Sequence, residues 1–198
     1  MTDQAPKRIV LGVTGASGSI YGARLLRHLR ALGTEVHLVA SQTADKVCRF
    51  EGHPLPGNVD AGSDGLPGSV VRHDESNFFA APASGSFRHG GMVIAPCSVG
   101  TVGRIAAGTA DTLLLRAADV CLKERRPLVV LLRETPLSRI HLKNLLEITE
   151  AGAVVVPASP GFYNKPASIE ELVDGVLARV LDLLGLPSDI APRWKDQD

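Results

Sequence analysis

Short apolar runs and amphipathic helical stripes alternate along this chain. Arg8–Val13 (RIVLGV), Glu35–Ala40 (EVHLVA), residues 92–95 (MVIA), Leu128–Leu132 (LVVLL) and residues 154–156 have the length and β-branched content of strands. Between them a 3.6-residue apolar period predicts helices over 20–32, Gln42–Phe50, 99–107, 111–124, 137–150 and 168–184. Leu25, Leu26 and Leu29 set the stripe of the first helix, and Gly33 stands where its C-cap is expected. Residues 70–72 read as a further short strand. Residues 52–68 are rich in Gly, Pro and Asp without any period and read as a surface loop. Residues 77–89 form a turn-rich stretch around FFAAPASGS.

Strands that alternate with helices predict an α/β fold, a doubly wound, mostly parallel sheet of the Rossmann-like kind. No repeat, low-complexity tract or linker interrupts the pattern. One domain over residues 1–198 follows, with a core over 8–186 and a tail over 187–198. In such sheets ligands sit beyond the C-terminal ends of the strands, so the residues that follow each strand carry the functional information.

The first strand runs into Thr14-Gly15-Ala16-Ser17-Gly18. Glycines let a backbone approach a phosphate, and the next helix N-terminus favours an anion. The same turn also serves as a bare strand-to-helix connection. Gly12, Gly15 and Gly18 do not make the GxGxxG spacing, and Ser41 follows the second strand where a dinucleotide fold carries Asp or Glu. Both features favour a mononucleotide over NAD.

Residues 95–101 read Ala-Pro-Cys-Ser-Val-Gly-Thr. Ser98 suits an N-cap, and its hydroxyl and that of Thr101 stand beside free N–H groups; a cap without a ligand fits equally. Cys97 has no His beside it in sequence and reads as a small buried residue. Arg133 and Glu134 follow five apolar residues. Arg133 suits a phosphate or flavin carbonyl and Glu134 a proton transfer, with a surface ion pair as the alternative. A proline-fixed loop after the last strand presents Tyr163. Arg179 and the run Lys123-Glu124-Arg125-Arg126 read by themselves as solvated helix positions.

Composition narrows the partners. Lys+Arg and Asp+Glu are 21 each, so the net charge is zero, which argues against a nucleic-acid or membrane-surface binder. The basic residues between Arg116 and Arg139 suit a local anion site instead. Three cysteines without a CxxC pair argue against structural zinc and for a reducing compartment. No signal-peptide pattern precedes the first strand, and no run nears the ~18 apolar residues of a membrane span. A cytoplasmic protein is expected.

Four blocks, TGASGSIYG from Thr14, APCSVGT from Ala95, LKERRPLVVLLRETPLS from Leu122 and GAVVVPASPGFYNKP from Gly152, resemble the UbiX flavin prenyltransferase family in order and spacing. The resemblance runs from about Arg8 to Trp194. It implies a metal-independent transferase that joins the dimethylallyl group of dimethylallyl monophosphate to N5 and C6 of reduced FMN. The product, prenylated FMN, serves a partner decarboxylase of the UbiD type, as in ubiquinone biosynthesis. It also implies a cytoplasmic homo-oligomer, commonly a dodecamer, with sites at subunit contacts.

By motif, Gly15, Ala16, Ser17, Ser41, Ser98, Val99, Gly100, Thr101 and Arg133 match FMN contacts. Tyr163, Arg179, Lys123 and Arg116 match contacts to the dimethylallyl phosphate, and Trp194 matches an aromatic bordering the site. Glu134, Glu51, Ser17, Lys123 and Tyr163 are the candidate catalytic groups; no metal ligand is implied. Phe78 stands where the family often has tryptophan and keeps an aromatic face there. Two rivals are a flavin-dependent cysteine decarboxylase, whose PASANT-like segment matches PCSVGT poorly, and a non-enzymatic FMN-binding accessory subunit of a decarboxylase.

Overall fold

The computed structural model describes residues 8–192. Six parallel strands, β1 (Arg8–Val13), β2 (Glu35–Ala40), β3 (Val70–His73), β4 (Met92–Cys97), β5 (Leu128–Leu132) and β6 (Val154–Pro157), form one sheet in the order β3-β2-β1-β4-β5-β6. The order reverses between β1 and β4, which opens a crevice at their C-terminal ends. The α/β, Rossmann-like expectation holds.

Six helices connect the strands: α1 (Ser19–Ala31), α2 (Gln42–Phe50), α3 (Val99–Ala106), α4 (Leu113–Lys123), α5 (Arg139–Glu150) and α6 (Ile169–Leu183). Their starts follow capping chemistry more closely than apolar period. α4 begins at Leu113 rather than 111 because the Thr112 hydroxyl accepts from the Leu115 N–H. α5 begins at Arg139 rather than 137 because Ser138 and His141 cap each other reciprocally. α1 begins at Ser19 after Gly18, whose φ of 95° lies in the left-handed region that suits glycine.

Each strand's side chains divide between the two faces. On β5, Val129 and Leu131 face a core with α1 and α6, whereas Leu128, Val130 and Leu132 face α3 and α4. Burial on both faces explains why this strand reads as a continuous apolar run. The segment 52–68 is a surface loop, as expected, and is anchored at several points. Val59 bridges Val70, Arg30 donates to Asp64 and to the Gly68 carbonyl, and Arg72 donates to the Pro56 carbonyl. The loop's small and polar residues hid these tethers, which come from long arginines elsewhere in sequence. Among the described residues, no helix is long and apolar enough to cross a membrane.

Candidate active site

The crevice between β1 and β4 is built from the turns that follow the strands. Thr14 ties two of them together: its hydroxyl donates to the Pro96 carbonyl at 2.8 Å and accepts from the Ser98 N–H at 2.9 Å. Sequence reading passed over Thr14 because its partners lie more than 80 residues away, and only its place before Gly15 hinted at a role. Ser98 caps α3 by accepting from the Thr101 N–H, and the two hydroxyls lie 3.1 Å apart. Ser41 caps α2 by accepting from the Ala44 N–H at 3.1 Å. Two capped helix N-termini therefore open on this edge, where backbone donors and helix dipoles favour an anion.

Arg133 reaches across from β5, and its Nε donates to the Ser17 carbonyl at 3.0 Å. That bond fixes the Gly15-Ala16-Ser17 turn and sets a guanidinium at the crevice. Glu134 is half-buried beside it, one carboxylate oxygen accepting from the Thr135 N–H at 3.0 Å. Gly15 meets Thr43 so closely that an added Cβ would lie 2.4 Å from the Thr43 methyl, so the turn and the start of α2 pack together only with glycine there.

Glu51, just past α2, turns back into the first turn of α1. Its carboxylate accepts from the Gly18 N–H at 3.0 Å and the Ser19 N–H at 2.7 Å. Burial pushes its pKa up, but the Ser17 hydroxyl and these N–H donors outweigh burial and hold it below the usual carboxylate range. Glu51 is thus an anion bonded to the same turn that carries Ser17.

Other candidates divide by position. Tyr163 and its loop follow β6 on the same edge, with Tyr163 80% exposed. Phe78 is exposed and lies in the segment between β3 and β4. Arg116, in the first turns of α4, donates from Nε to the Ala83 carbonyl and pairs with Asp119. Lys123 ends α4 just before β5 starts, so the length of β5, roughly 16 Å, separates it from Glu134. Arg179 lies in the last turns of α6, whose Leu183 shares a cleft of about 800 Å³ with Lys123, Arg126 and Val154. Lys123 and Arg179 thus lie apart from the candidates at the strand ends. Within one chain Lys123 and Arg179 stand at the opposite end of the sheet, because α4 and α6 run back antiparallel to the strands. Trp194 lies outside the described residues.

Cys97 is fully buried, and burial raises its thiol far above the ordinary range, so it is a packing residue and not a nucleophile. Among the described residues, no cluster of three or more His, Cys, Asp or Glu side chains is placed to hold a metal ion.

A family profile described as Flavoprotein matches residues 1–181. Flavin prenyltransferase UbiX of Deinococcus radiodurans is 49% identical, over 98% of this chain and 96% of that protein. The chain belongs to the UbiX flavin prenyltransferase family. Its UbiX fold superposes on the crystal structure of AnUbiX in complex with FMN and dimethylallyl pyrophosphate with a TM-score of 0.86, at 42% identity over 97% of this chain and 99% of that one. A dodecameric FMN-dependent UbiX-like decarboxylase from Escherichia coli O157:H7 gives a TM-score of 0.81 at 39% identity, covering 95% of this chain and 99% of that one.

The donor set of the UbiX crevice fits FMN. A phosphate suits the two capped N-termini with a guanidinium beside them, and Ser and Thr hydroxyls line the same edge.

Proposed function

We propose that this chain, acting as one domain, is a flavin prenyltransferase. It joins the dimethylallyl group of dimethylallyl monophosphate to reduced FMN and delivers prenylated FMN to a UbiD-type decarboxylase. The observation that carries the reading is Arg133 bonded to the turn after β1, on the same sheet edge where two capped helix N-termini open and the strand order reverses, in a chain of this family. When bound, the reduced flavin supplies N5 and C6 as the two positions that take the prenyl group.

The chain's residues have separate tasks. Gly15, Ala16, Ser17, Ser41, Ser98 to Thr101 and Arg133 hold the flavin. Ser17 and Glu51, bonded to each other, hold a proton between them at the flavin end. Glu134 moves the proton at the reacting centre. Arg116, Lys123, Tyr163 and Arg179 hold the allylic phosphate and stabilise it as it leaves. Phe78 and Trp194 give the developing allyl cation an aromatic face and keep water away.

Lys123 and Arg179 reach a site only across a subunit contact, so the functional unit is a homo-oligomer, and a dodecamer is the form we infer. Its place is the cytoplasm, with FMN and the dimethylallyl ester as partners. An accessory FMN carrier would need no second phosphate site, and Tyr163, Arg179 and Lys123 would then be idle.

The test is anaerobic turnover with reduced FMN. Phosphate release should require both dimethylallyl monophosphate and reduced flavin, and Glu134→Gln should slow it at least about a hundredfold. Full-rate release by Glu134→Gln would remove Glu134 from the chemistry. No release by the wild-type protein would return the weight to the carrier.

A further inference from the structure

The segment from the end of β3 to the start of β4 passes through a 3₁₀ turn, Ala81–Ala83, and then runs back along α4. Arginines from α4 and its exit grip three alternate carbonyls of that run. Arg116 Nε donates to Ala83 at 3.1 Å, Arg126 Nη2 to Gly85 at 2.5 Å and Arg126 Nη1 to Phe87 at 2.7 Å. Donors that carry charge hold such carbonyls more firmly than neutral ones. The loop is strapped to the helix along its length.

Between the two straps, Gly85 is pressed against the end of α4. Lys123 Nζ donates to Glu124 Oε1 at 2.8 Å. A Cβ on Gly85 would lie 2.4 Å from Glu124 Oε1, 2.9 Å from Glu124 Cδ and 3.1 Å from Lys123 Nζ. Gly85 is not in the left-handed region, so its backbone accepts alanine. The obstructing atoms are the tips of two flexible, part-exposed side chains. Gly85 is thus dispensable for the fold, and its missing side chain leaves room for the Lys123–Glu124 pair.

We propose that Arg126 and Gly85 are positioning residues for Lys123. Arg126 mounts the loop on the exit of α4, and Gly85 forms the wall against which the Lys123 ammonium is set for the allylic phosphate. The inference rests on the reading of Lys123 as a phosphate contact, and the test separates the two.

The experiment is calorimetric titration of dimethylallyl monophosphate into protein loaded with oxidised FMN, which binds without turnover. Gly85→Ala should weaken binding about tenfold and slow turnover with it, while FMN affinity and Tm stay at wild-type values. Arg126→Gln should weaken it at least as much, and Arg126→Lys, which keeps the charge but cannot fork to two carbonyls, should fall between. If Lys123→Ala weakens binding and Gly85→Ala leaves Kd at the wild-type value, the mount is overturned and the phosphate contact stands. If Lys123→Ala itself leaves Kd unchanged, the reading of Lys123 falls and takes the inference with it.

Discussion

Replacing Glu51 with glutamine tests how the turn after β1 is held. The carboxylate accepts from the Gly18 and Ser19 N–H groups, and these are among the α1 donors that have no partner within the helix. Glutamine keeps one acceptor oxygen, loses the charge, and turns an amide NH₂ toward donors. Hydrogen bonds to a charged group contribute about 1.5–3 kcal/mol where neutral ones give about 1, and the helix N-terminus adds about 0.3–1. Glu51 is only part-buried, so solvent screening takes some of this back, and a loss of about 2 kcal/mol is the working figure. For a chain of this size that lowers Tm by about 4–8 °C.

The pH dependence is the sharper part of the assay. The folded-state pKa of Glu51 lies below its unfolded value, so its contribution is present above about pH 4.3. It is lost as pH falls through the folded value. Scanning calorimetry at fixed protein concentration should find wild type ahead of Glu51→Gln at pH 7, with the gap closing below about pH 4. Equal Tm at pH 7, or a gap unchanged down to pH 3, would refute the anchoring of α1 by Glu51.

Other outcomes follow from the same structure. Asp174, 8% exposed, accepts from Arg24 through both oxygens and bonds His28, so Asp174→Asn should cost about 3–5 kcal/mol in urea unfolding. Burial raises its carboxyl but Arg24 and His28 more than offset this, so wild-type stability from this group fades below about pH 3.9. Arg133→Ala should raise the FMN Kd about 10- to 100-fold in a flavin-fluorescence titration; an unchanged Kd would remove Arg133 from the flavin site. Cys48, Cys97 and Cys121 are buried, and burial pushes the Cys121 thiol up to about 12, so iodoacetamide at pH 8 should label none of them until denaturant is added.

The fold was legible because burial on both faces writes itself into sequence. β5 is apolar at every position, and the helices between strands carry a clean stripe. The flavin edge was legible for a related reason: Ser41, Ser98 and Arg133 come directly after a strand and Gly15 one residue later, where ligands sit. Long-range partners were not legible. Thr14 with Ser98, Glu51 with Gly18, and Arg126 with Gly85 are bonds between segments 33 to 84 residues apart, and no local pattern announces them. Lys123 and Glu134 are neighbours in the charge pattern but end at opposite edges of the sheet, because β5 runs between them. The caps at Thr112 and Ser138 start α4 and α5 two residues after the apolar period predicts, because the side-chain cap and not the stripe fixes the first turn.

The most direct measurement is the mass of the flavin extracted after anaerobic incubation of the protein with reduced FMN and dimethylallyl monophosphate. The account predicts a gain of one C5H8 unit, absent when either reactant is left out. Flavin recovered as unchanged FMN from protein that binds it tightly would contradict the transferase and leave an FMN carrier in its place.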